Sequence, residues 1–397
     1  MNPDDIVIVA AKRTPTGAML GNLSSLTATE LGAFAHRAAI AQAGISPADI
    51  DEVISGCVLQ AGLGQAPARQ AAIKADVPFT AGATTINKVC GSGMKAVMLA
   101  HDLIKTGSAN IVLAGGMESM SNAPYLLGKA RAGYRLGHSE LKDHMFLDGL
   151  EDAYDEGRAM GSFAEATAQH YHFTREQQDA FAIQSMSRAL DAQHSGAFDD
   201  EIVPITLSGR KGENLTITLD ESPNPEKLTK IPKLKPAFQV DGTITAANSS
   251  SIADGAASLI MMTAANAIAR GLKPLAKIVA HATHSQAPEW FTTAPIPAIQ
   301  SVLTKAGWIA EDVDLYEINE AFAVVAMVAI SELKLDPETV NIHGGACALG
   351  HPIGASGARV LVTLIHALLH QKKTRGIAAL CIGGGEATAM AIEVFHA

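Results

Sequence analysis

Three reactive side chains in this 397-residue sequence stand in glycine-framed turns, far apart along the chain. Cys90 lies in Asn87-Lys88-Val89-Cys90-Gly91-Ser92-Gly93, and His351 in Gly350-His351-Pro352-Ile353-Gly354-Ala355-Ser356-Gly357. Cys381 opens Cys381-Ile382-Gly383-Gly384-Gly385. A thiol, an imidazole and a second thiol supply a nucleophile, a base and a further proton carrier, which is what acyl transfer needs. The glycines leave backbone that a ligand can approach closely. After Cys90, the residues Met94, Val97, Met98, Leu103 and Ile104 recur at helical spacing, and Gly107 ends the run. A cysteine just ahead of a helix N-terminus meets unpaired N–H groups and the positive end of the helix dipole, so its pKa is expected to fall. The plainer reading of a lone cysteine is a buried structural thiol.

His351 beside Pro352 fits a turn histidine or, in its neutral form, a base that takes the Cys90 proton. Cys381 ends an apolar run, Ala378-Ala379-Leu380, and fits either a core position or a thiol presented to a small pocket together with a free N–H from the glycine turn. A second thiol is useful where a proton must leave a weakly acidic carbon. Asn319, in Asn319-Glu320-Ala321-Phe322, follows a strand-like run and serves equally well as a turn former or as an amide aimed at a developing oxyanion. His36, His101, His170, His281 and His284 lack glycine framing and read as surface or core. Lys227, Lys230, Lys233 and Lys235 form a solvated basic face or a contact for ligand phosphates.

An internal repeat organises the elements that must position these groups. Residues 43–51, Ala-Gly-Ile-Ser-Pro-Ala-Asp-Ile-Asp, return at 306–314 as Ala-Gly-Trp-Ile-Ala-Glu-Asp-Val-Asp. Ser92-Gly93 returns as Ser356-Gly357, and 112–116 has a looser echo at 379–384. Each half reads as helix, short strand, glycine turn, helix and apolar strand (111–114 and 378–381), which predicts buried parallel sheet under helices. Stacked halves bring the glycine turns to one interface, where α/β ligand sites favour the strand ends. Residues from about 120 to 240 carry more charge, Pro and Gly and read as an insertion with helices at 163–172 and 175–194. The segment 254–262 returns to a buried strand. The expected division is therefore 1–119 with 245–268, an inserted 120–244, and 269–397.

Length argues for more than one core, and a 48% hydrophobic, 5% aromatic composition rich in Ala and Gly suits close-packed α/β layers. A formal charge of −10 argues against a nucleic-acid or membrane-surface binder. No stretch reads as a membrane span, and the acidic start is unlike a signal. Cys57, Cys90, Cys347 and Cys381 form no C-x-x-C pair, so neither a zinc site nor a disulfide frame is indicated, and no metal is expected. Free thiols point to a reducing, cytoplasmic compartment.

Taken together, N-x-x-C-x-S-G, Gly115-Gly116-Met117-Glu118-Ser119-Met120-Ser121, N-E-A-F, the long glycine motif around His351 and C-x-G-G-G resemble the thiolase family, end to end and in family order. Within it the likeness is greatest to acetyl-CoA acetyltransferases. The resemblance implies an α/β thiolase fold: two βαβ-type halves in a five-layer α-β-α-β-α core, with an inserted loop domain that carries coenzyme A. It implies a ping-pong condensation of two acetyl-CoA to acetoacetyl-CoA and CoA, or the reverse, with CoA thioesters as substrates and no permanently bound cofactor. Cys90 is the implied acyl acceptor, His351 its activator, and Cys381 the α-proton carrier. Asn319 (through a water) and His351 form one oxyanion hole, and the N–H groups of Cys90 and Gly383 the other. Ser250, Ala246, Phe238, Met160 and Phe322 are assigned to the pantetheine channel, and a homotetramer built as a dimer of dimers is expected. Ala159 stands where biosynthetic members often have His, Ala387 replaces a final Gly, and no Arg matches the usual adenine-side contact. The nearest other reading is a broader-range 3-ketoacyl-CoA thiolase of β-oxidation. A decarboxylating ketoacyl synthase and a catalytically inactive lipid-binding relative are more distant ones.

Overall fold

Alternation along the buried strands divides the core into layers. In Ile111–Ser119, Val112 and Ala114 face one cluster while Ile111 and Leu113 face another; in Arg375–Ile382, Ala378 and Leu380 part in the same way from Ile377 and Ala379. The computed structural model of the chain describes residues 1–208 and 213–396. Its main sheet runs Leu315–Ile318, Arg375–Ile382, Glu386–Val394, Ala276–Ser285, Ile6–Arg13, Ala253–Thr263, Ile111–Ser119, Glu52–Gly56, Gly82–Ile86, with the short Gly17–Ala18 beside Ala253–Thr263. The join between Ile6–Arg13 and Ala276–Ser285 is only Val7 with Lys277 and Ile8 with Ala276, so the sheet folds into two halves there.

Two helices fill the space between the halves: Ser92–Lys105, which follows Cys90, and Ile353–His370, which follows His351. Met94, Val97 and Met98 from the first and Leu361, Leu364 and Ile365 from the second share one core with Ile54 and Leu259 on one side and Leu380 and Met390 on the other. Helices Ala28–Ala43 and Pro67–Lys74 cover one outer face, and Pro295–Ala306 and Ala323–Leu333 the other. The order is α-β-α-β-α, as expected. A Cβ on Gly357 would lie 2.3 Å from Met94 N, and one on Gly93 2.7 Å from Ala358 N. The repeated Ser-Gly pairs are where the two middle helices cross with backbones touching.

Two expectations are corrected. The sheet is mixed rather than parallel. Glu52–Gly56 runs parallel to both its neighbours and Leu315–Ile318 to Arg375–Ile382, but the remaining pairs are antiparallel. The tight Gly383–Gly385 turn forces one such pair, since it is too short for a crossover. One stretch, the 18-residue helix Ile353–His370, is in fact long and apolar enough to cross a membrane, and its side chains are instead buried in the middle layer.

The segment between the adjacent strands Ile111–Ser119 and Ala253–Thr263 carries helices Met160–His170 and Arg175–Ser195 and the hairpins Tyr125–Leu127/Leu141–Asp143 and Ile205–Ser208/Asn214–Ile217. The buried Arg13 ties it down, pairing with Glu201 at 2.5 Å and with both oxygens of Asp220 at 2.7 and 2.9 Å.

Candidate active site

The Cys90 turn is held by its two flanking polar residues. The Asn87 carboxamide accepts from Val89 N at 2.8 Å, while the Ser92 hydroxyl accepts from Lys88 N at 2.8 Å and donates to Val89 O at 2.6 Å. Between them Val89 adopts φ = 44°, a left-handed conformation costly for a β-branched residue. The helix proper starts at Ser92, and a Cβ on Gly91 would meet Ile382 Cδ1 at 2.3 Å. Cys90 is thereby pinned between the two glycine turns.

Cys90 is partly accessible through a cavity but otherwise enclosed by protein. Burial pushes its thiol up to about 11, against the lowering effect of hydrogen bonds from the Gly383 N–H and its own. The expected depression is overturned, because desolvation of a thiolate here outweighs the helix start. Burial also lowers His351, to about 3, with Arg359 adding repulsion, so its imidazole is neutral. The resting pair is thiol and imidazole, not an ion pair.

Which ring nitrogen carries the proton follows from the neighbours. Ser356 Oγ lies 2.9 Å from Pro352 O, its acceptor, and 2.5 Å from His351 Nδ1. The hydroxyl proton goes to the carbonyl, so Nδ1–H donates to Oγ and Nε2 keeps its lone pair. Asn319 Nδ2 stands 3.5 Å from Nε2, and its Oδ1 faces Arg359 Nη2 at 3.5 Å. Arg359 is itself buried 3.8 Å from Glu317, whose carboxyl burial raises to about 8. The His351 loop is anchored from the other half: Glu118 accepts from Gly354 N and Val58 N at 2.9 Å and from Leu59 N at 3.1 Å.

Cys381 is fully buried, and burial first, then a charge on Cys90, raise its thiol well above the usual range. The cavity that Cys90 borders measures about 400 Å³ and is mostly apolar. Cys90, His351 and Gly383 line it together with Met160, Phe238, Ala246, Ser250 and Phe322, so eight of the ten expected site residues border one space. Asn319 and Cys381 do not border it; Asn319 lies beside His351, which does, and Cys381 is fully buried. Ser250 N bonds to Ala321 O and His351 N to Ser251 O, both at 2.9 Å, which seams the wall. Phe322 stands edge-on to Phe238 and Phe291, with centroids 6.1 and 6.4 Å apart.

Sequence reading missed Phe146, Leu150, Ser249, Ser251, Ile252, Phe291 and Ile353 in the wall, and Ser356, Arg359 and Glu118 behind it. Three of these gave a signal: Ile353 and Ser356 share the His351 motif, and Glu118 lies in the Gly115–Ser121 motif. None of the four noted lysines borders the cavity; Lys227 donates to Ser222 O at 2.7 Å and Lys230 sits 3.8 Å from Glu226.

Residues 6–265 match the family model described as "Thiolase, N-terminal domain" and residues 272–394 that described as "Thiolase, C-terminal domain". Acetyl-CoA acetyltransferase 2 of Arabidopsis thaliana is 50% identical over 99% of this chain and 98% of its own length. Among solved structures, the Acat5 thiolase from Ascaris suum in complex with coenzyme A is 43% identical, with a TM-score of 0.93 over 98% of this chain and 100% of the other. The acetyl-CoA acetyltransferase from Syntrophomonas wolfei is 39% identical, with a TM-score of 0.96 over 99% of this chain and 100% of the other.

Proposed function

The chain belongs to the thiolase family, and on that premise we propose that it is an acetyl-CoA C-acetyltransferase, joining two acetyl-CoA into acetoacetyl-CoA and CoA or running the cleavage in reverse. The observation that carries this reading is the convergence of Cys90, His351 and the Gly383 N–H on one apolar cavity. The relatives that match at about half identity over nearly the whole chain bear acetyl-CoA acetyltransferase names, which supports this reading over the broader-range thiolase.

His351 Nε2 takes the proton of Cys90 as the sulfur attacks the thioester carbonyl, whose oxygen accepts from the N–H groups of Cys90 and Gly383. The carbon–sulfur bond to CoA breaks, and the departing sulfur takes the Cys381 proton. This leaves acetyl-Cys90, a His351 imidazolium and a Cys381 thiolate. The thiolate then removes the α-proton of the second acetyl-CoA, and the imidazolium, with Asn319 beside it, stabilises the enolate oxygen. Enolate attack on the acetyl carbonyl releases the Cys90 sulfur, which recovers its proton from His351. All three groups end as they began.

Ser250, Ala246, Phe238, Met160 and Phe322 would flank the pantetheine arm, with the inserted segment carrying the rest of the coenzyme. For the phosphates we retain the lysines 227, 230, 233 and 235, and Lys→Ala changes that left CoA affinity untouched would remove them. A cytoplasmic homotetramer completes the proposal, supported by four free cysteines and by the exposed Tyr125, Leu127, Leu136 and Leu141 on one hairpin. The deciding experiment is mass spectrometry after incubation with acetyl-CoA. Acetyl is expected on the peptide holding Cys90 and absent from Cys90→Ala; acetylation at Cys57 or Cys347 instead would overturn the assignment.

A further inference from the structure

At the far end of the Cys90 helix stands a group that the acyl-transfer chemistry does not use. His101 and Asp102 lie in the helix Ser92–Lys105, and His281 in the strand Ala276–Ser285 of the other half. His101 Nδ1 is 3.0 Å from Asp102 Oδ1, His281 Nε2 is 3.2 Å from the same oxygen, and the two nitrogens are 3.2 Å apart. The rings meet edge-on, with centroids at 4.9 Å. This is the one trio of His, Cys, Asp or Glu donor atoms clustered this closely among the described residues.

Proton accounting makes the triangle informative. Each neutral ring offers one N–H on one nitrogen, and the carboxylate offers none. If both rings donate to Asp102, two donors face each other. If His281 donates to His101, a bare nitrogen faces a carboxylate oxygen. Hydrogen bonds therefore satisfy at most two of the three sides, and a cation at the centre satisfies all three. Zinc–ligand bonds of about 2.0–2.1 Å in a tetrahedral arrangement put donor atoms about 3.3 Å apart, close to the spacing found. Two imidazoles and a carboxylate suit a borderline first-row divalent ion, not Mg²⁺ or Ca²⁺, which favour all-oxygen shells.

We propose that His101, Asp102 and His281 bind one divalent first-row transition ion, of the zinc type, which staples the Cys90 helix to the sheet of the other half. Side-chain exposures of 20%, 54% and 21% leave a solvent-facing position for water. Lys305 donates to His281 O at 2.9 Å, fixing the strand from behind. Because the two helix ligands follow Cys90 by eleven and twelve residues, the site is about 17 Å along the helix from the reacting residue. An ion here would reinforce the narrow seam between the halves without touching the chemistry.

The test must separate this site from the cavity, where thiols and an imidazole could also hold zinc. Purified full-length protein, His281→Gln and Cys90→Ala are stripped with a chelator, exposed to Zn²⁺ and dialysed, and retained metal is counted per chain. One equivalent is expected in the wild type and in Cys90→Ala, and none in His281→Gln, with circular dichroism showing the variant folded. Added Zn²⁺ should raise the Tm of the wild type but not that of His281→Gln. Metal retained equally by His281→Gln, or none retained by the wild type, overturns the proposal.

Discussion

Because the Ser356 hydroxyl is committed to Pro352 O, it can only accept from His351, and Nε2 keeps its lone pair, 3.5 Å from the Asn319 amide. Ser356→Ala removes that constraint and lets the ring take the other tautomer, in which Nε2 carries a proton and cannot receive one from Cys90. By the general weight of a positioned base, kcat for thiolysis should fall about 100-fold, with KM and Tm little changed. An unchanged kcat in steady-state assays would show that Ser356 positions nothing. Cys90 makes a second residue-level prediction. Its thiol is raised to about 11, so the thiolate fraction in free enzyme grows with every step in pH below that value. Alkylation of Cys90 by iodoacetamide should therefore keep accelerating beyond about pH 9, whereas a plateau near neutrality would restore the thiolate–imidazolium pair.

At the scale of elements, the glycines do two jobs that the amino-acid sequence cannot tell apart. Gly383 borders the cavity and Gly91 makes room for Ile382 beside it in the chain, whereas Gly93 and Gly357 let two helices cross at backbone contact. Gly357→Ala puts a methyl 2.3 Å from Met94 N, where no flexible side chain can give way. Overpacking of this kind costs about 1–3 kcal/mol, so chemical denaturation should show a loss at or above that range, and activity should fall with it because both helices carry a reactive turn at their heads. Wild-type stability in this variant would mean the helices can part. The repeat and the glycine turns were legible because each is a local pattern, and so were the middle helices. Burial was not: the raised Cys90 thiol, the distant Glu118 and Arg359 behind the imidazole, and the wall residues Phe146, Leu150 and Phe291 arise only once separate segments meet. The mixed sheet escaped for the same reason, since strand direction depends on where the insertion returns the chain.

For the whole molecule, the question is what holds the inserted segment in register with the halves it serves. Arg13 ends the strand Ile6–Arg13, Glu201 and Asp220 belong to the insertion, and Thr363, which donates to Glu201 at 3.2 Å, lies on the middle helix behind His351. The guanidinium is 1% exposed, grips Asp220 with two nitrogens, and stacks over the Phe198 ring at 4.9 Å. Three layers of the structure thus meet on one buried cation. Such a pair contributes little relative to an apolar replacement of every member, but removing one partner strands the others without water. Arg13→Ala should lower the unfolding free energy by about 3–5 kcal/mol in urea titrations. Replacing Arg13, Glu201 and Asp220 together with Met or Leu should recover most of that loss, because no charge is then left unpaired. If Arg13→Ala unfolds within about 1 kcal/mol of wild type, the carboxylates have found water or each other, and the insertion is fastened elsewhere. Recovery in the triple variant with thiolysis restored would show that the network positions the cavity wall through packing alone, since none of its charges reaches the reacting thiol.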